Sequence, residues 1–304
     1  MANGKEIKRR IKSIKNTAKI TKAMELISTV KMKKAQDLAL EKKAYIRSML
    51  EIFLSLTDTL NETKYFKQNN GGKTLNVVIA SNKGLCGGYN VGVFKKVNSY
   101  KNANPGEEID YISIGKRSTS FLARTGNNII ADFSADYTDV LTFEFSKPIS
   151  RFILEKFLTG EYSKINIFYT HYVNTIKQIV VQKEFLPLTK VGIEMYFKQV
   201  FGNDFFEDKD FLKTEVSKAK YTIEPSKEEL LDELLPMILD SMFFDLLIEA
   251  KASEHSSRMI AMKNAKDNAN KFASKLTLIY NKTRQASITT EITEIVSGVE
   301  SMKD

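Results

Sequence analysis

Alternate steps of four and three residues from Ile7 land on Ile11, Ile14, Ala18, Thr21, Glu25, Ser28, Met32, Ala35, Ala39, Lys42, Ile46, Met49, Phe53, Leu56 and Leu60. Every position on this seam is apolar or small except Thr21, Glu25, Ser28 and Lys42. A period of 3.5, sustained over that length, predicts a helix that supercoils left-handedly with a partner. Asn3 and Glu6 form a plausible N-cap pair that starts it. A second seam runs Met262, Ala265, Ala269, Phe272, Leu276, Ile279, Thr283 and Ala286, after which Ile288, Ile292, Ile295 and Val299 take over. No glycine or proline falls between Gly4 and Gly71, or between Pro236 and Gly298. Both ends therefore read as long helices that partner each other, antiparallel, with the two termini together. At about 1.5 Å per residue, sixty residues make a rod of about 90 Å.

The middle behaves differently: it holds twelve of the fourteen glycines and all five prolines, between short segments. Residues 75–80 read as a strand, 81–90 as a loop and the stretch to about 101 as a helix. A strand at 110–114 and a helix at 116–124 follow, and 149–158, 165–169 and 178–182 continue the alternation. The fold class expected is α/β, a small Rossmann-like layer between the arms of a long antiparallel coiled coil. The expected boundaries are 1–66, 67–225 and 226–304. Residues 190–224, with Tyr196, Phe197, Phe201, Phe205, Phe206 and Phe211 among charges, read as a loop or partly helical connection with no assigned place in the layers. Pro225-Ser226 with Glu229 opens the last helix by a capping box, and Pro236 should kink it or end its first part.

Charge changes the picture more than composition does. Of the 304 residues 42% are hydrophobic and 27% charged, the profile of an ordinary globular chain. Residues 1–43 carry thirteen Lys/Arg against four Asp/Glu, which accounts for the whole net charge of +9. Such a segment suits nucleic acid, anionic lipid or an acidic protein surface, or is simply a solvated helix face. The absence of any aromatic residue from 1–43 argues against nucleic acid. The first thirty residues lack the apolar core of a signal peptide. The longest apolar run, 237–248, is broken by Asp240 and Asp245 and is too short to span a bilayer.

Candidate chemistry is sparse. Cys86 is the only cysteine, and His171 and His255 are far apart, so no disulfide, cysteine cluster or local metal-ligand pair is expected. Gly71-Gly72-Lys73-Thr74 ends like a phosphate loop but has Lys67 where that loop needs glycine, and a strand follows it. The run from Gly84 to Gly88 lacks both glycine-rich fingerprints and reads as a strand-to-helix turn that holds Cys86. Asp132, Asp136 and Asp139 match no ligand loop and read as solvated acids.

Three blocks of residues resemble the gamma-subunit family of rotary F-type ATP synthases. They are Ala2 to Ile11 with Asn16 to Met24, the run Gly84-Leu85-Cys86-Gly87-Gly88 with Asn90, and Glu254-His255 with Arg258 to Ala265 and Tyr280 to Val296. The resemblance implies a non-catalytic shaft, its coiled coil inside a hexameric ring of alternating catalytic and non-catalytic subunits. It implies an α/β foot on a membrane rotor ring, an epsilon-type small rotor subunit as neighbour, no cofactor, no nucleic acid and no direct membrane insertion. It places the chain at the cytoplasmic face of the cell membrane. Partner contacts are expected from basic Lys8, Arg9 and Arg10, from Met24 against a catalytic subunit's lever, and from Arg284 and Gln285 toward a catalytic-subunit loop. A shaft driving some process other than ion-coupled ATP synthesis is the alternative. Residues 190–224 and Pro236 depart from the family pattern.

Overall fold

The computed structural model describes residues 4–56, 63–67, 69, 72–201, 223–224 and 226–302. Asn3, Leu60, Gly71, Pro225 and the aromatics at 205, 206 and 211 lie outside the described residues. In chain order the elements are α1 (Gly4–Glu41), α2 (Lys43–Ser55), β1 (Lys73–Ile79), α3 (Tyr89–Ala103), β2 (Ile109–Ile114), α4 (Lys116–Arg124), β3 (Asn128–Asp132), α5 (Phe143–Leu158), β4 (Tyr162–Tyr172), β5 (Gln178–Leu186), α6 (Lys190–Phe201) and α7 (Lys227–Ser301). They form two compact units, Val30–Ser257, and Met1–Thr29 with Arg258–Asp304.

The larger unit is built on a five-stranded sheet in the order β3-β2-β1-β4-β5, parallel except for the edge strand β5. Its inner strands are apolar almost without interruption because helices cover both faces. On one face Leu75, Val77, Ile79, Ile112 and Ile167 join a core with α2, α5 and the first turns of α7. On the other, Val78, Tyr111 and Phe168 pack with Val93 and Val97 of α3 and with Phe121 and Leu122 of α4. Phe94 and Phe121 stack there at 4.2 Å. The expected strands and helices are present, α4 with the expected ends. β3 is the addition: a short edge strand with three half-buried residues carries too weak an alternation to be read from sequence.

Two expectations about the helices change. The first helix stops at Glu41, Lys42 forms a turn, and α2 starts anew, although the Lys42 carbonyl still accepts from the Ile46 N–H at 3.1 Å. The last helix does not end at Pro236, which is buried ten residues inside an unbroken α7. A proline there costs about 3 kcal/mol of helix stability, which burial of Leu231, Leu235, Ile238 and Leu239 around it offsets. The capping box stands, with Ser226 Oγ accepting from the Glu229 N–H at 3.2 Å. The connection read as loop or partly helical begins with helix α6, whose Ile193, Tyr196 and Phe197 are buried, Phe197 lying 6.0 Å from Phe53.

In the smaller unit the start of α1 and the end of α7 run antiparallel: Gly4 lies against Tyr280, and Glu25 pairs with Lys266 at 2.8 Å. The first seam is observed, with Ile7, Ala18, Thr21 and Ser28 buried. The second seam shifts. Phe272 and Ile279 face outward, 57% and 52% exposed, and Ala273, Thr277 and Tyr280 take the inner positions. Met262 to Ala273 is an eleven-residue step, three turns of about 3.67 residues, so this stretch follows a straighter path than a 3.5 period allows. From Arg284 to Val299 every residue is exposed, including the stripe of Ile288, Ile292, Ile295 and Val299.

Candidate functional site

The loop after β1 closes on itself. Leu85 and Gly87 adopt left-handed backbone at φ 63° and 60°, the region where glycine is preferred and leucine is strained. Ser81 Oγ donates to the Lys83 carbonyl at 2.7 Å, and Asn90 Oδ1 accepts from the Ser81 N–H at 3.0 Å. Cys86 is buried beneath these bonds with Asn90 Nδ2 3.3 Å from its sulfur. The start of α4 is likewise committed: the Lys116 N–H donates to Asn82 Oδ1 at 2.8 Å and the Arg117 N–H to the Ser81 carbonyl at 3.0 Å. A phosphate cradle needs such N–H groups turned outward.

Asp132 and Asp136 are exposed as expected, while Asp139 is half-buried, and both Asp132 and Asp139 have partners within the chain. Burial works against the Asp132 charge, but bonds from the Ser134 N–H, Ser113 and Thr119 hold its carboxyl below the usual range. Asp139 pairs with Lys31 at 2.5 Å, and Asp139, Glu254 and His255 bring their ligand-type atoms within 4.8 Å of one another. That donor set suits a divalent ion, but Lys31 on Asp139 and Lys251 on Glu254, 3.2 Å away, already neutralise both carboxylates. The structure supports an ion-pair cluster there.

A second polar cluster was missed at the sequence level. Lys42 pairs with Asp245 and lies 4.5 Å over the Phe244 ring, and Tyr196 OH donates to Asp245 at 2.6 Å. Burial pulls the Lys42 ammonium below the usual lysine range and pushes the Asp245 carboxyl above the usual aspartate range. One turn along α7, Glu249 binds His171 at 2.8 Å and also Gln199, and the bond from Glu249 raises the His171 pKa above 6.5. Asp240 is held by Ser150 and by Arg151 at 2.8 Å. The signals were in view: Lys42 interrupts an apolar seam, and Asp240 and Asp245 interrupt an apolar run.

The expected contact residues all lie in the two-helix unit. Lys8, Arg9 and Arg10 are exposed, as is every basic residue from Lys5 to Lys22. Arg10 is tied to Glu6 at 2.8 Å, one turn before it. Arg284 and Gln285 are also exposed, at the same end of the unit as the Lys8–Arg10 run because Gly4 lies against Tyr280. Met24 is half-buried at the level of Lys266, about 30 Å from that end at 1.5 Å per residue. These six positions lie at two levels of the two-helix unit rather than converging on one place.

A paired-helix rod carried by the same chain as a Rossmann-like layer is the architecture of stalk subunits in rotary ATPases. Two solved structures share it. A chain in the OSCP/F1/c-ring structure of the mitochondrial ATP synthase of Euglena gracilis matches with a TM-score of 0.63 at 17% identity, over 99% of this chain and 95% of that one. The central stalk of the Tetrahymena thermophila mitochondrial ATP synthase matches at 0.54 and 23%, over 81% and 99%. The ATP synthase family model covers residues 3–302. ATP synthase gamma chains from Flavobacterium psychrophilum and Flavobacterium johnsoniae are 37% and 38% identical, over 100% and 99% of both chains in each pair. The chain belongs to the ATP synthase gamma chain family, the central-stalk subunits of F-type ATP synthases.

Proposed function

We propose that the chain is the non-catalytic rotor shaft of its complex, coupling ion-driven rotation to ATP synthesis or hydrolysis in a surrounding hexameric ring. The observation that carries this reading is the end of α7, where a continuous helix presents an apolar stripe to its surroundings beyond the reach of its partner helix. Such a stripe suits the apolar interior of a ring, and the basic face of α1 suits acidic catalytic-subunit loops at several angular positions. The functional division is into arms at 1–66 and 226–304 and a foot at 67–225. The foot carries contacts with an epsilon-type subunit and the membrane rotor ring, at the cytoplasmic face of the cell membrane. No described helix is long and apolar enough to cross a membrane, which fits attachment through partners.

The test is reconstitution of the complex in vesicles with the Arg284→Ala/Gln285→Ala chain. Loss of one bond to a charged group, about 1.5–3 kcal/mol, would slow turnover by about ten to a hundredfold with assembly unchanged. Unchanged turnover removes these two residues from the coupling. Calorimetry on the isolated chain provides the companion measurement: saturable ATP binding below about 0.1 mM, near −5.5 kcal/mol, argues against a non-catalytic subunit.

A further inference from the structure

The loop after β1, just ahead of the Gly84–Gly88 block, and the Glu254-His255 step are distant in the chain and meet around one acid in the larger unit. Asp139 Oδ2 lies 2.5 Å from Lys31 Nζ of α1 and 4.0 Å from Lys83 Nζ of the loop after β1, and its Oδ1 lies 3.8 Å from His255 Nε2 of α7. The segment bearing Asp139 has no regular structure of its own and is pinned from beneath. Asn82 Nδ2 donates to the carbonyls of Ser134, at 3.4 Å, and Tyr137. Lys251 lies 3.7 Å over the Tyr137 ring while pairing with Glu254, both of them almost fully buried at 2% and 1% exposure. Tyr89 OH completes the frame by donating to the Ala250 carbonyl at 3.1 Å.

Apolar packing is non-directional, so a helix held only by its greasy face can roll or slide at small cost. Charges with fixed partners have one register, and setting register is the best-attested use of buried ionic groups. We propose that Asp139 is a positioning residue that keys α1 and α7 to the loops of the α/β layer and fixes the rotational register of both helices, so that torque passes between them and the foot without slip. The inference rests on the shaft reading. It assigns to this cluster a mechanical role in place of a ligand.

The complex is reconstituted in vesicles with the wild-type chain, with Asp139→Asn, with Asp139→Lys, and with the reversed pair Lys31→Glu/Asp139→Lys. ATP hydrolysis and ATP-driven vesicle acidification are measured on the same preparation. A role in folding alone lowers both in proportion to assembly. A register key instead lowers the ratio of acidification to hydrolysis, by about threefold for loss of one partly exposed ion pair, and the reversed pair recovers at least half of it. An unchanged ratio in assembled Asp139→Asn and Asp139→Lys complexes, or a reversed pair no better than Asp139→Lys, overturns the proposal. If Asp139→Lys fails to assemble, the ratio for Asp139→Asn decides. A wild-type complex that hydrolyses ATP without acidifying its vesicles counts against the shaft reading and not against the key.

Discussion

The two units differ in how many charges pair between their elements. In the two-helix unit the buried polar seam residues are small hydroxyls that bond to their own helix, as Thr21 does to the carbonyls of Thr17 and Ala18 at 3.0 Å. The α/β unit has such hydroxyls too, as Ser146 shows by donating to the Phe143 carbonyl at 2.8 Å, and adds charges paired between elements, from the mostly buried Lys42 with Asp245 to the more exposed Arg151 with Asp240 and Lys31 with Asp139. Self-satisfied hydroxyls leave each helix indifferent to its partner's exact position, whereas cross-element pairs specify it. The first unit, where Glu25 with Lys266 joins the two helices, therefore specifies register less tightly than the second. A thin pair of helices buries too little apolar surface to hold itself as firmly as a sheet covered on both faces.

The largest effect should come from leaving a buried charge alone. Asp245→Leu strands Lys42 and should cost about 3–5 kcal/mol in urea unfolding, with much of the loss recovered in Lys42→Met/Asp245→Leu. If the single variant is as stable as wild type, cross-element pairing is not what separates the units. Next, Ile167→Ala in the sheet core should cost about 2–5 kcal/mol, against about 1–3 kcal/mol for overpacking the two-helix seam with Ala18→Leu. Equal costs would remove the contrast in packing.

A smaller effect follows from His171. Glu249 raises its folded pKa above 6.5, so the stabilisation is complete below pH 6.5 and is lost as pH rises through the folded value. A melting series across that window should show the decline, and His171→Gln should flatten it. A wild-type midpoint that rises over the same window contradicts the assignment. Smallest of all is Lys266→Ala. Its half-buried surface pair with Glu25 should make no measurable difference to the melting midpoint in about 1 M salt, where screening acts within about 3 Å. A salt-resistant loss would show that the two-helix unit, too, depends on a specific ion pair.

The sequence showed most where physics repeats. The first seam, the α4 boundaries and the Ser226 cap follow from periodicity and local chemistry that neighbouring residues share. It showed least where a residue's meaning lies in a distant partner. Nothing near Lys42 indicates that Asp245 will meet it, and Asp139 is a loop acid until Lys31, Lys83 and His255 are brought to it. The displaced Phe272 and Ile279 belong to a middle case, since a 3.5 period and an eleven-residue step place the same residues on different faces only after several turns. Of the six expected contact positions, five are exposed and Met24 is half-buried, and any use of them depends on surfaces that this chain does not contain.

The threonines near the end of α7 carry a consequence of their own. The hydroxyls of Thr289, Thr290 and Thr293 fold back onto carbonyls one turn earlier, at 3.0, 3.0 and 2.8 Å. With each O–H proton spent inside the helix, the outward part of those side chains is a methyl group. This stretch is therefore greasier to the touch than its composition suggests. In the proposed shaft, such methyl groups would meet a ring wall without donating hydrogen bonds to it, which lowers the cost of turning past it.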